Sequence, residues 1–418
     1  MTRASFITLI VLSLLLLPAV AQAQVQPVSG SDTVFFTTNH KSVKIPFKFV
    51  HNLIILPVRI NSSQPLNFIL DSGVKNILIT HLFFSDSLDL NDVNKISVRG
   101  LGEGHSIEAY QSKGNNLHMP GIRGTNNLVY VLMEDVFNLS TRMGMPVHGI
   151  IGFDIFKNFI VKINYSSKVI TLYRPDEEVK KKRRAEEYPL YIEGTKPYVY
   201  GEVRQHNGDT VKVKLVVDTG ASNSISLYLP SDERLMLPPK VMKAYLGTGL
   251  SGDINGQIGR LDAFSLGKYE LEDLTAAYPD EESIKLALNI ANRNGNLGSD
   301  ILSRFTVIFD YPHNRLIMLP NRRFREPFHY NMAGFEVTTP LPGTNLYIVS
   351  NVVEDSPAKL GGLEPGDQLL HVNGRNCTEI KLSELLQLLE SKPGRKLRLR
   401  LRREAEILDV DLVLESRI

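Results

Sequence analysis

Apolar residues in this chain come mostly in short runs and strict alternations, the period of strands rather than of helices. The segment KSVKIPFKFVHNLIILPVRIN (41–61) reads as strands broken at Pro46 and at His51-Asn52. YVYGEVRQHNGDTVKVKLVVD (198–218) reads as two strands joined across Asn207-Gly208-Asp209, a strong hairpin signal. Helical spacing is scarce over the first 320 residues: one short helix is expected after Gly152 and one after Gly298, with Asp154 and Asp300 as candidate caps. Near the C-terminus LSELLQLLESKPG (382–394) fits an amphipathic helix stopped by Pro393-Gly394. KLRLRLR (396–402) alternates as a strand with Leu397, Leu399 and Leu401 inward. The expected class is mostly β with a small α+β unit at the end.

Two of the apolar runs contain a carboxylate, which is costly to bury without a partner. They are FILDSGVKNILIT (68–80) and LVVDTGASNSISL (215–227). Both read apolar-apolar-apolar-Asp-hydroxyl-Gly, with Asn at the same later offset. Asp71 and Asp218 stand 147 residues apart (218 − 71). A second pair of blocks repeats almost in step, HGIIGFDIFKNFIVKINYSSKVITLY (148–173) and NGNLGSDILSRFTVIFDYPHNRLIML (294–319). Gly149, Gly152, Asp154, Phe159 and Tyr165 answer Gly295, Gly298, Asp300, Phe305 and Tyr311. Two blocks repeated in one order at one offset imply a duplicated unit of roughly 140 residues.

Duplication gives the buried charge a purpose. A pseudo-two-fold axis brings equivalent positions together, so Asp71 and Asp218 would face each other. Adjacent carboxylates share one proton, which leaves one as base and the other as acid. The hydroxyls of Ser72 and Thr219 can brace the opposite copy, and Gly73 and Gly220 let backbone N–H groups approach the acids. Each copy also holds a glycine-rich stretch, RGLGEGHSIEAY (99–110) and LGTGLSGDINGQIG (246–259). These are read as flaps over a ligand, with Gly102, Gly104, Gly247 and Gly249 at their tips.

Asp71-Ser72-Gly73 and Asp218-Thr219-Gly220-Ala221-Ser222 resemble the active-site motifs of aspartic proteases of the retroviral and pepsin type. Ile150-Ile151-Gly152 and Asn296-Leu297-Gly298 resemble that family's second motif. The resemblance covers about residues 40–320 and is nearest to two retropepsin-like β-barrel lobes fused in one chain, each with its own flap. It implies that Asp71 and Asp218 are catalytic and activate water to hydrolyse peptide bonds. Two residues depart from the pattern. Lys75 stands where the second copy has Ser222; beside the acids it would oppose proton sharing, whereas with its head in water it would line a subsite edge. Asn296 is polar where the family usually has an apolar residue, which bears on local packing.

Beyond residue 330 the character changes. DSPAKLGGLEPGDQLLHVNGR (355–375) resembles the signature of PDZ domains, with a tight turn at Asn373-Gly374. The resemblance implies an extended peptide added to a sheet edge. Ala333-Gly334-Phe335-Glu336 would receive the terminal carboxylate, and the helix around Leu385–Leu389 would form the other wall. Gly334, Phe335, Leu385 and Leu389 are the groove candidates.

Composition narrows the partners and the compartment. The start, MTRASFITLIVLSLLLLPAVAQA, has Arg3, an apolar run from Phe6 to Leu17, and Ala21-Gln22-Ala23, as in a cleaved secretory signal. The run is short for a membrane span. The expected organisation is a signal at 1–23, a first lobe at 24–174, a charged linker at 175–190, a second lobe at 191–322 and a PDZ domain at 330–416. The one cysteine, Cys377, precludes an internal disulfide and reads as a core or loop residue. Net charge is +2, which offers no field for nucleic acid, and KKKRR (180–184) is offset by acidic neighbours. No HExxH, P-loop or paired Cys/His spacing points to a metal or other cofactor. The function expected is an exported endopeptidase acting on polypeptides, periplasmic or secreted, from a Gram-negative bacterium. Its PDZ unit would recruit C-terminal peptides, and a monomer would suffice. The competing reading is a catalytically silent peptide-binding scaffold, which Lys75 would favour.

Overall fold

The computed structural model describes residues 33–83, 88–102, 104–289 and 292–418, together with the dipeptide 17–18. The rest of the expected signal segment lies outside the described residues.

The first copy closes into a six-stranded barrel. Leu53–Ile60 pairs with Leu66–Leu70, and the order continues through Gly149–Ile151, Ile77–Ile79, Ile122–Leu132 and Ile107–Met119. Arg59 opposite His118 and Ile60 opposite Leu117 complete the ring. The second copy has the same wiring: Lys196–Arg204, Thr210–Val217, Gly295–Leu297, Ile225–Leu227, Tyr269–Pro279 and Gly252–Leu266. Val203 opposite Phe264 closes it. Closure removes the exposed edges that short strands would otherwise present. The turns are those the sequence announces: His51 and Asn52 have φ 49° and 60°, and Gly208 has φ 86°.

Each copy then gives three strands to one shared sheet, in the order Glu186–Pro189, Arg315–Pro320, Phe305–Asp310, Ile160–Asn164, Val169–Tyr173, Ser42–Pro46. At its centre Val161 faces Phe309 and Ile163 faces Val307. Val161 and Val307 are repeat equivalents, as are Ile163 and Phe309. The pairing is therefore self-complementary about a local two-fold, like an isologous dimer interface within one chain. One apolar cluster runs through both barrels and this sheet.

Three local expectations need correction. Asp154 and Asp300 do not cap their helices, Phe153–Asn158 and Ser299–Leu302; Gly152 and Gly298 hold the cap positions, and both acids sit in the first turn. Asp300 instead accepts from Ser224 Oγ at 2.8 Å and faces Arg304 at 3.7 Å. The tail of the charged stretch 175–190 is not linker, because Glu186–Pro189 pairs with Arg315–Pro320 and Ala185, Tyr188 and Leu190 are buried. Lys180 to Arg184 are exposed. An unexpected helix, Glu281–Leu288, follows the second barrel's strand Tyr269–Pro279.

The C-terminal unit is a sheet ordered Phe335–Thr338, Tyr347–Val352, Gln368–Val372, Lys396–Arg403, Glu406–Val413, with helix Leu382–Leu389. Leu397, Leu399 and Leu401 point inward, and Asn373-Gly374 turns with φ 52° and 80°. Cys377 is buried, and burial pushes its thiol up to about 11, which makes it inert near neutral pH. The unit's core is continuous with Met242, Ala244, Leu246 and Ile254 of the second flap and with Ile284 and Ala287 of helix Glu281–Leu288.

Candidate active site

Asp71 and Asp218 each follow a central barrel strand, and both are 0 % exposed. Their loops are held alike: Asp71 N–H donates to Ile151 O and Asp218 N–H to Leu297 O, both at 2.9 Å. Asp71 Oδ1 accepts from Gly73 N–H at 2.7 Å, and Asp218 Oδ1 from Gly220 N–H at 2.9 Å. A Cβ at Gly220 would lie 2.3 Å from Asp71 Cγ, so the second loop needs its glycine for the opposite acid to come close.

The hydroxyls lock the two loops together. Ser72 N–H donates to Thr219 Oγ1 at 2.9 Å, and Thr219 N–H donates to Ser72 Oγ at 3.0 Å. Each hydroxyl then donates to the strand of the other lobe, Ser72 Oγ to Val217 O at 2.6 Å and Thr219 Oγ1 to Leu70 O at 2.9 Å.

Burial, and then the charge of Asp218, raises the Asp71 carboxyl well above the usual carboxylate range; the Gly73 N–H and the Lys196 ammonium oppose that rise. Asp71 is thereby biased toward its protonated form. Two buried carboxyl groups sharing a proton between symmetric loops can polarise a carbonyl and activate a water together.

Residues 201–301 match a family model described as "Aspartyl protease", and residues 348–403 match one described as "PDZ domain". The chain carries an aspartyl-protease domain and a C-terminal PDZ domain. A search of curated proteins finds no match. The matched protease span holds Asp218 and Gly298; Asp71 lies outside it, on the barrel that repeats the same wiring.

Behind the acids, Gly152 and Gly298 back the protease loops. A Cβ at Gly152 would fall 1.8 Å from Asp71 O, and one at Gly298 would fall 2.1 Å from Asn223 O. Neither contact can relax without moving backbone. Gly152→Ala is expected to cost about 2–3 kcal/mol. Calorimetry should show a midpoint several degrees lower; an unchanged midpoint would contradict this close packing.

The glycine-rich stretches meet tip to tip. Ser251 N–H donates to Leu101 O at 2.8 Å, Gly100 N–H donates to Ser251 Oγ at 3.0 Å, and Gly104 N–H donates to Ser251 O. A Cβ at Gly249 would meet Leu101 O at 2.0 Å, and one at Gly102 would meet Gly252 O at 2.5 Å. Gly102, Gly104 and Gly249 thus lie at the junction, whereas Gly247 sits back at a bulge in its strand. The tips cross over: Leu101 joins the second lobe's apolar cluster and Leu250 the first lobe's.

Lys75 is exposed, while Ser222 is buried and its carbonyl accepts from Asn52 Nδ2 at 3.0 Å. Asn296 is no packing fault: its Nδ2 donates to Asp218 Oδ2 at 2.8 Å. Two further buried residues had no motif to mark them. Lys196 donates to Gly73 O at 2.8 Å, and Tyr228 OH donates to Asn296 Oδ1 at 3.2 Å.

Gly334 and Phe335 lie at the start of the PDZ edge strand, but the proposed groove is filled from within. Asn331 Oδ1 accepts from Ala333 N–H at 3.1 Å and Gly334 N–H at 3.2 Å, where a peptide carboxylate would bind. Asn331 Nδ2 donates to Phe335 O at 2.6 Å. Further along, Thr339 N–H donates at 3.1 Å to Thr141 O of the first lobe. Phe335, Leu385 and Leu389 are wholly buried. The helix residue that meets the first lobe is Leu382, which lies 3.0 Å from a Cβ built at Gly144.

Proposed function

We propose that this protein is an exported aspartic endopeptidase that hydrolyses peptide bonds in polypeptides. The observation carrying this reading is the buried, interlocked pair Asp71 and Asp218 with a raised Asp71. One carboxylate takes a proton from water as the water oxygen attacks the peptide carbonyl carbon. The protonated partner gives its proton to the carbonyl oxygen, forming a gem-diol. The first acid then protonates the leaving nitrogen as the C–N bond breaks, while the second recovers its proton from a diol hydroxyl. No step calls for a cofactor, and one chain supplies both acids, so a monomer is sufficient.

The flap tips are joined to each other, so a substrate enters when the contacts of Ser251 with Gly100 and Leu101 part. Lys75, the residue that spoke for a silent scaffold, is exposed, whereas both acids are buried. The signal-like start supports export to a Gram-negative periplasm or beyond. Among the described residues no helix is long and apolar enough to cross a membrane. The test is incubation of the mature protein with a denatured protein from acid to neutral pH, reading new N-termini. Absence of cleavage at every pH would reject the hydrolase.

The PDZ unit binds C-terminal peptides by displacing Asn331. Asn331→Ala frees two backbone N–H groups, and affinity for a fluorescent peptide with an apolar last residue is expected to rise about tenfold. Polarisation titration checks this, with the C-terminal amide as control. If neither protein distinguishes acid from amide, the groove assignment fails.

A further inference from the structure

The two lobes repeat in backbone but not in the polar groups beneath their acids. Lys196 opens its barrel strand opposite Glu193, as Leu53 opens the first lobe's opposite Val50. Asn296 lies opposite Ser226 as Ile150 lies opposite Leu78. Arg293 and Tyr228 likewise take the places of Val147 and Thr80. The first lobe backs its acid with Leu, Ile, Val and one buried Thr; the second backs its acid with an ammonium, a carboxamide, a guanidinium and a phenol.

We propose that Lys196 and Asn296 are positioning residues that break the symmetry of the acid pair, holding negative charge on Asp218 and leaving the shared proton on Asp71. Asn296 offers its N–H to Asp218 Oδ2, a bond that favours the carboxylate over the acid, and Ile150 gives Asp71 no such donor. Asn296 is itself oriented by Tyr228. Lys196 is 6 % exposed and anchored to the Gly73 carbonyl, so its charge is fixed at the junction of the loops. The titratable groups facing it are Asp71, Asp218 and Arg293, and Glu193 lies opposite it on the neighbouring strand. Burial, then Arg293, lowers the Lys196 amine to about 7, while both carboxylates, Asp218 more than Asp71, hold it charged. Below that pH the ammonium balances the singly ionised pair, and above it the balance is lost. Asp218 is therefore the base toward water and Asp71 the acid toward the carbonyl.

This assignment rests on the hydrolase reading, so it is tested with and without turnover. Lys196→Met keeps the buried stem and removes the charge; Asn296→Leu supplies the first lobe's kind of side chain. Each is expected to move the acid limb of kcat/KM upward by about one pH unit, because the first ionisation of the pair loses its support. Lys196→Arg should restore the limb. Titration of 13C-labelled aspartate carboxyls, assigned with Asp71→Asn and Asp218→Asn, should show the same upward move in protein that is not turning over. A role confined to packing would lower kcat without moving either limb. The inference is overturned if Lys196→Met, folded by calorimetry, titrates as the wild type does. A wild type that cleaves nothing, with the carboxyl titration still moved upward in the variants, would reject the hydrolase and leave the asymmetry standing.

Discussion

Asp218→Asn is expected to abolish peptide cleavage while the protein stays folded, and Asp71→Asn to do the same. The amide is isosteric with the acid, and at Asp218 it still offers an oxygen to the Gly220 N–H. What it cannot do is take a proton from water. At Asp71 the acid already holds its proton at pH values where an ordinary carboxylate has lost it. Asparagine there removes the proton donor without adding or removing buried charge. Residues that act as a unit fail as a unit, so each single change should cost at least about 10³-fold in kcat/KM, and the double change little more. Rates on a peptide found by digesting a denatured protein, with near-UV circular dichroism as the fold control, provide the check. A variant cleaving within tenfold of wild type would remove the pair from the chemistry.

The placement of these two acids was legible because the duplication is legible. One offset links the Asp motifs and, within a residue, the Gly-Asp-Phe-Tyr blocks, and a local two-fold follows from it. The strands were legible for the same reason that they form: alternation puts one face of Lys396–Arg403 or Thr210–Val217 in a core. Barrel closure was expected from the family resemblance alone, not from the local pattern. Arg59 against His118 and Val203 against Phe264 are long-range pairings that no local pattern encodes. Asn296 was visible as a polar intruder in an apolar motif, but its partner was not. Lys196 gave no signal, because EGTKPYV reads as an exposed hairpin, and only the tertiary contact with Gly73 makes the lysine a buried group. Asp154 and Asp300 misled because the N-cap lies two residues before each acid, at Gly152 or Gly298, so the acid falls in the first turn. The closed PDZ groove is likewise a tertiary fact, set by Asn331 folding back and by Thr141 arriving from the first lobe.

Thr219→Val should separate the two halves of the site. Valine matches threonine in shape but offers no hydroxyl, so two bonds across the pseudo-two-fold vanish at once. The Ser72 N–H and the Leu70 carbonyl stay behind, wholly buried. An unsatisfied buried group costs roughly 1–3 kcal/mol, so the pair amounts to roughly 2–6 kcal/mol. That loss falls on the contact between lobes rather than inside either barrel. Activity should drop further than stability implies, because these bonds also set the spacing of Asp71 and Asp218, and catalysis is sensitive to displacements of about 1 Å. Thr219→Ser keeps both hydroxyl bonds and should retain most of the stability and rate. Ser72→Ala, the mirror change, should resemble Thr219→Val, since Ser72 Oγ makes the equivalent pair of contacts. Calorimetry and kcat/KM measured on the three variants decide the matter. If valine at this position melts and cleaves like wild type, the interlock is not what holds the acids face to face.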